Sequence, residues 1–401
     1  MERRLDAAPL RTAVTASLAA WLLLLAGSGT AWAGAREQAR RMHDRLAGVP
    51  PTESVLADME ADIAANDARA AAYTAMENSA FYNVTLKNFV TPWTNEEQTM
   101  FAPLNDYSAT VIGMVRDDID FRLVLSGDIL YIGSGAGVPA YSNSSNAHYE
   151  TLQAQGADLK TVLVQTAQST QTGLSLSATA GVLTTRASAK AFLMDGTNRA
   201  MLRFTMLNYL CRDLEQVMDI TRAPHRIRQD VARSPGGDSR IYLNNCAGCH
   251  AGMDPLIQSF AYYGYAYDSA TDPDGANGQL AYTPDVVQYK YLQNADNFKY
   301  GYVTPDDRWD NYWRQGSNAV LGWDGALPGG GYGAKSMGEE LAHSDAFAQC
   351  QVQKVFKAVC LRAPGDSADR SQVATMVDAF RSSGHQLKRV FADAATYCMG
   401  D

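Results

Sequence analysis

Apolar residues recur every three or four positions in several parts of the chain, and this spacing predicts amphipathic helices. The clearest cases lie near the C-terminus, in three successive stretches. Their apolar stripes are Val352, Val355, Phe356 and Val359, then Val373, Met376, Val377 and Phe380, then Leu387, Val390, Phe391 and Ala394. Gly384 follows the second stretch, where a left-handed helix cap is expected. The region 336–401 is therefore predicted to be helical.

The N-terminal region, residues 34–233, shows the same periodicity less regularly. Residues 38–76 are rich in Ala and charged side chains and have helical spacing, with a break expected at Pro50-Pro51. Helical character returns over 183–211. Between them, residues 81–139 have a mixed pattern that fits short strands and short helices equally well. The whole region is predicted to be mostly helical.

The first 33 residues have a different character from the rest. Arg3, Arg4 and Arg11 precede an apolar run over 16–26, and Ala31-Trp-Ala33 follows with small residues at a typical cleavage position. This pattern predicts a secretory signal peptide over 1–33, and the alternative is an N-terminal membrane anchor. Cleavage would leave a protein without a membrane span in an oxidising compartment, periplasmic or secreted.

Composition excludes some function classes. The chain has 401 residues, 46% of them hydrophobic, which is enough for a large core. Its 34 Lys and Arg face 43 Asp and Glu, giving a formal net charge of -9. Such a balance argues against a nucleic-acid partner, because binding of that kind rests on neutralising phosphates.

One motif stands out within the Tyr-rich and loop-rich region 234–335. It is Cys246-Ala-Gly-Cys249-His250, the spacing at which c-type haem is attached. Two thiols three positions apart on one helical turn reach the two vinyl groups of a haem, and the next residue places an imidazole under the iron. The motif predicts one covalent haem c, bound through Cys246 and Cys249, with His250 as the proximal iron ligand.

Three other chemistries use similar residues. A structural zinc site would need two further Cys or His ligands at short spacing, and the sequence has no second CxxC and no HxxxH. A thioredoxin-like redox pair would need a βαβ context. A plain disulfide between Cys246 and Cys249 suits an exported protein, but it would leave His250 unexplained. Covalent haem remains the favoured interpretation.

The residues around the motif resemble known proteins. The stretch from Gly237 to Met253 looks like the first helix of class I cytochrome c domains, in which an aromatic residue ahead of the first Cys packs on the haem edge. The resemblance implies that Tyr242 has this role. More broadly, the chain from about residue 100 onward resembles exported bacterial proteins that combine one CxxCH with flanking domains of unknown function. It implies a mainly α fold with a cytochrome-c-like haem module embedded between larger helical N-terminal and C-terminal regions.

The ligand on the opposite face of the iron decides between functions. In class I cytochromes an axial Met is carried on an irregular loop ahead of the last helix, and Met337 lies similarly at the end of a Gly-rich run. Met337 is therefore the first candidate, although it could instead be the first apolar residue of the following helix. His225, His343 and His385 are rivals.

The other four cysteines form an even number, which suggests two disulfides. Cys350 and Cys360 cannot pair if they share one continuous helix, because ten residues span about 15 Å. Cys211 then pairs with one of them and Cys398 with the other, and both arrangements stay open.

These inferences favour an exported monohaem c-type cytochrome that transfers electrons to or from an unidentified redox partner protein. The alternative is a haem enzyme of peroxidase- or oxidase-like type, with an open or displaceable distal position. The size of the chain motivates the alternative, because it greatly exceeds what one haem needs for electron carriage. A third possibility is a binding or assembly protein in which the haem is mainly structural.

Overall fold

Most of the chain is helical. The structure is a computed structural model that describes residues 34–292 and 296–400, so the predicted signal peptide over 1–33 lies outside the described residues. Helices account for 56% of the structure and strands for 7%, which confirms the mainly α fold class. The embedded cytochrome-like module stays a prediction.

The α-helices are α1 (Ala35–Ala47), α2 (Glu53–Ala64), α3 (Ala68–Met76), α4 (Lys87–Val90), α5 (Asp106–Arg116), α6 (Ala147–Ala154), α7 (Leu159–Val162), α8 (Gln168–Thr172), α9 (Arg186–Leu193), α10 (Arg199–Tyr209), α11 (Ser239–Ile241), α12 (Ala247–Ile257), α13 (Gly333–Ala342), α14 (Asp345–Cys360), α15 (Ser367–Ser382) and α16 (Leu387–Cys398). The strands are β1 (Leu130–Gly133), β2 (Leu163–Thr166), β3 (Tyr263–Ala266), β4 (Gln279–Tyr282), β5 (Arg308–Asp310) and β6 (Gly330–Tyr332). They pair in sequence order as three antiparallel two-stranded sheets.

The N-terminal helices begin at residues whose side chains cap them. The Thr52 hydroxyl accepts from the backbone N–H of Val55 at the start of α2, and the Asp67 carboxylate accepts from Ala70 at the start of α3. The break at Pro50-Pro51 is confirmed, because α1 ends at Ala47 and α2 begins at Glu53. The part after the break is divided into α2 and α3, so this region holds three helices and not the one or two that the sequence predicts.

The three C-terminal helices are confirmed as α14, α15 and α16. The Ser344 hydroxyl and the Asp366 carboxylate cap the first two. Gly384 has a φ of 74°, the left-handed conformation expected of a glycine after α15. α16 packs against α14 and α15, and also against α3, so the C-terminal helices contact the N-terminal ones.

The ambiguous region 81–139 contains both kinds of structure. Phe121–Leu125 forms a 3-10 helix, whereas Leu130–Gly133 is a strand that pairs with Leu163–Thr166. The main hydrophobic core includes residues from Ala39 to Ala395 and draws on all three regions after residue 33. A second, smaller cluster lies beside the CxxCH motif and is described below.

The disulfides join Cys211 to Cys350 and Cys360 to Cys398, with Cα–Cα distances of 5.3 and 5.4 Å. Cys350 and Cys360 share the continuous helix α14, so the argument against their pairing is confirmed. One bridge attaches Cys211, two residues after α10, to the interior of α14, and the other attaches the end of α14 to the end of α16. Among the described residues, no helix has the length and apolarity needed to cross a bilayer.

Candidate functional site

The CxxCH motif lies on a nearly continuous helical segment with an irregular turn just ahead of it. α11 begins after Asp238, whose carboxylate accepts from the backbone N–H of Arg240 at 2.9 Å. Residues Tyr242–Cys246 form a π-helical turn, and α12 continues from Ala247. A π turn adds one residue to the helix locally, and such turns are common at functional sites.

Cys246 and Cys249 are both free thiols and both partly buried. They are therefore not joined as the plain disulfide that the sequence left as an alternative. The Cys249 sulfur lies 3.6 Å from the carbonyl oxygen of Leu214. Burial raises the pKa of Cys249, and the negative charges of Glu215 and Cys246 raise it further. Both sulfurs remain available for thioether bonds.

Gly248, between the two cysteines, lets a loop approach the motif closely. A Cβ at this position would lie 2.5 Å from Cγ of Met218 and 3.1 Å from Cγ2 of Ile220. The backbone N–H of Asp219 donates to the carbonyl oxygen of Gly248 at 3.1 Å. The loop around residues 218–220 is thus fastened to the motif, and it presents the partly exposed side chains of Met218 and Ile220 beside the thiols.

His250 is held by its Nδ1 atom. This atom lies 3.1 Å from Oδ1 of Asp254, one helical turn further along α12. Because an ionised carboxylate only accepts hydrogen bonds, Nδ1 carries a proton, and in the neutral ring Nε2 then keeps its lone pair. The side chain is 18% exposed. The imidazole is therefore fixed in the tautomer that a metal ligand binding through Nε2 requires.

Asp254 is fully buried and accepts from two arginines as well. Nε and Nη2 of Arg199 donate to its two oxygens at 2.9 and 3.1 Å, and the backbone N–H of Arg228 donates at 3.1 Å. Burial alone would raise the pKa of Asp254. The charge of Arg199 and the hydrogen bond from His250 outweigh burial and hold the pKa well below its ordinary value. The carboxylate is ionised at neutral pH.

Tyr242 packs beside the motif, and its contact with a haem edge stays a prediction. It is 8% exposed and forms the second hydrophobic cluster with Ile227, Val231 and Ala251, against which Cys246 and Ala247 pack. The guanidinium carbon of Arg233 lies 5.0 Å from the centroid of the Tyr242 ring. Two apolar side chains of the same segment, Ile241 and Leu243, are 43% and 56% exposed. A planar apolar ligand at the motif would cover such surface.

The four distal-ligand candidates lie on different elements, and the 3-10 helix Pro224–Arg226 that carries His225 contacts α12. Met337 is fully buried inside α13 and belongs to the main core, whereas Cys246 packs on the second cluster. It is thus within a helix, not at the end of the Gly-rich run. His225 accepts or donates a hydrogen bond with the Tyr312 hydroxyl at 3.0 Å. His343 is the residue that follows α13, and His385 follows α15 with a φ of 59°.

These residues fit a covalently bound haem on its proximal side. The fit rests on the donor set itself, which comprises two free thiols one helical turn apart and an imidazole whose free nitrogen is Nε2. In the described part of the chain, no group of three or more His, Cys, Asp and Glu side chains is placed to hold a metal ion.

Sequence reasoning missed Asp254 and the arginines that neutralise it. The contact between His250 and Asp254 was predictable from the sequence, because Asp254 follows His250 by four positions and such pairs face each other on a helix. Arg199 and Arg228 come from other elements and carry no local signal.

Comparison with known proteins gives no match: no protein-family model, no curated protein and no solved structure matches this chain.

Proposed function

We infer that this protein is an exported monohaem c-type cytochrome that carries electrons through one covalently bound haem c. The observation that carries the proposal is the hydrogen bond between Nδ1 of His250 and Asp254, beside two free thiols. A haem bound there would supply a one-electron ferric/ferrous couple. In this proposal Cys246 and Cys249 anchor the porphyrin, and His250 binds the iron through Nε2.

The residues around the motif have separate roles in the proposal. Tyr242 and the second hydrophobic cluster support the edge of the porphyrin, and Ile241 and Leu243 shield it from water. A shielded haem edge lowers the local dielectric constant and so influences the reduction potential. The redox partner is a protein that exchanges single electrons with this haem.

A haem enzyme with an open or displaceable distal position is the second candidate function. One observation favours it, namely that Met337 lies inside α13 in the main core and not on a loop beside the motif. A protein whose iron lacks a sixth side chain binds small ligands directly. The two functions therefore differ in their response to carbon monoxide.

The experiment is an absorption titration of the protein matured with c-type haem in a periplasm. Ferric and ferrous spectra are recorded with and without carbon monoxide for the wild type, Met337→Leu and the control Met376→Leu. Leu preserves the packing volume of these two buried methionines and removes only the thioether. An electron carrier with Met337 as ligand keeps its low-spin bands under carbon monoxide, and only Met337→Leu loses them. Rapid binding of carbon monoxide by the wild type contradicts the electron carrier and supports the enzyme.

A further inference from the structure

The carboxylate of Asp254 lies behind the proposed proximal ligand and completes a buried chain of charged groups. The chain runs from Nδ1 of His250 to Asp254, then to Arg199, then to Asp230. Nη1 and Nη2 of Arg199 donate to the two oxygens of Asp230 at 2.7 and 2.9 Å. The Asp254 side chain has no exposed surface, and that of Asp230 is 4% exposed. Both carboxylates are therefore shielded from water, whereas the side chains of His250 and Arg199 are each 18% exposed.

Charges balance within this group. Arg228 is also fully buried, with Nη2 at 3.4 Å from Asp230 and its guanidinium carbon 4.4 Å from the centroid of the Tyr291 ring. Arg199 thus pairs with both carboxylates, whereas the Arg228 guanidinium reaches only Asp230 of the two and leaves its Nε and Nη1 atoms without a hydrogen-bond partner. Isolated buried charges are costly, whereas paired and hydrogen-bonded ones are tolerated. Asp254 can remain an anion in the interior because the arginines compensate its charge.

An anionic hydrogen-bond acceptor makes the imidazole that it binds more basic. A carboxylate draws the Nδ1 proton toward itself, and the electron density on Nε2 increases, so the ring becomes a more basic ligand. A more basic ligand stabilises ferric iron relative to ferrous iron. We propose that Asp254 is a positioning residue for the haem iron, and that its hydrogen bond to Nδ1 of His250 lowers the reduction potential of the bound haem. This inference rests on the proposed function, because it needs His250 as the iron ligand.

The test compares two variants that each remove one buried carboxylate. Asp254→Asn replaces the acceptor of the His250 proton by a neutral amide. Asp230→Asn is the matched control, because Asp230 pairs with the same Arg199 but lies one step further from the imidazole. The midpoint potentials of both variants and of the wild type are measured by spectroelectrochemistry on the haem-loaded chain.

Asp254→Asn is expected to shift the ferric/ferrous equilibrium toward ferrous iron by about 10- to 100-fold, the size typical of mutations next to a metal ligand, which is about 60 to 120 mV. Asp230→Asn is expected to shift it less than tenfold. A shift in Asp254→Asn no larger than that in Asp230→Asn would overturn the proposal, because general electrostatics would then account for both. If the wild type also fails to bind haem covalently, the result contradicts the proposed function itself.

Asp254→Asn leaves Arg199 partly unpaired, so the variant could fail to accumulate. A measurement on the wild type keeps the proposal testable in that case. Nitrogen-15 NMR of the histidine rings in the full chain produced without haem reports which ring nitrogen carries the proton. A hydrogen-bonded Nδ1 proton on His250 supports the proposal, and a ring protonated at Nε2 alone contradicts it.

Discussion

The two disulfides should differ in their contribution to stability, and the structure predicts the order. They share helix α14, which holds Cys350 in its interior and Cys360 at its last residue. The double variants Cys211→Ala/Cys350→Ala and Cys360→Ala/Cys398→Ala each remove one bridge. Cys350 and Cys360 are 1% and 4% exposed, so the packing lost at α14 is similar in both cases.

The expected difference comes from the unfolded chain. The Cys211–Cys350 bridge closes a loop of 139 residues, and the Cys360–Cys398 bridge closes one of 38. In the loop-entropy treatment, loops of these lengths correspond to about 5 and about 4 kcal/mol of stabilisation. The entropic cost of closing a loop grows only with the logarithm of its length. The two bridges therefore differ in stabilisation by about 1 kcal/mol.

The assay is guanidinium unfolding of the wild type and both double variants, all in the same haem state. The free energy of unfolding should fall by several kcal/mol in each variant, and by about 1 kcal/mol more when the longer loop is opened. The slope of the free energy against denaturant is the control, because a changed slope would indicate a change in the unfolded state. Equal losses, or a larger loss at Cys360–Cys398, would refute the loop-length reasoning.

Two further perturbations follow from particular contacts. Gly252→Ala should destabilise the fold by about 1–3 kcal/mol through overpacking, because the new Cβ would meet Nε1 of buried Trp313 at 2.0 Å. Gly325→Ala, at a position with open space, is the control, and equal thermal midpoints for the two variants would contradict this account. Burial, and then the charge of Arg122, lower the pKa of His385 to about 4. Because the unfolded ring has its ordinary pKa near 6.5, protonation favours unfolding, and stability is lost as the pH falls from about 6.5 to about 4. His385→Asn should remove this part of the pH dependence in urea unfolding, and an unchanged slope against pH would count against it.

Local patterns accounted for much of the fold. The helices α14, α15 and α16 were predictable because each carries a one-sided apolar stripe. Gly384 was predictable as a helix cap because glycine adopts the left-handed conformation without steric cost. The structure of residues 81–139 was not predictable, since short apolar runs fit a 3-10 helix and a strand equally well. Long-range contacts decide between them, as in the pairing of β1 with β2.

The candidate site, like the fold, was predictable from the sequence only in part. The motif and the proposed role of His250 follow from sequence spacing. The disulfide partner of Cys211 does not, because α10 and α14 are brought together by packing between residues far apart in the chain. The loop expected ahead of Met337 is wrong for a related reason, while the role of Met337 as distal ligand stays a prediction. The Gly-rich run ahead of it was expected to continue as a loop up to Met337, but it forms β6 and ends at Gly333, where α13 begins.

The central claim is that one haem is covalently bound at Cys246 and Cys249. It is tested most directly by intact-mass spectrometry and peptide mapping of the chain expressed with a c-type haem maturation system. We expect a mass increase of one haem, carried by the peptide that contains both thiols, with Cys246→Ala/Cys249→Ala showing no haem and Cys211→Ala/Cys350→Ala retaining it. A wild-type chain that leaves the maturation system without haem, with its other two disulfides formed, would contradict the account.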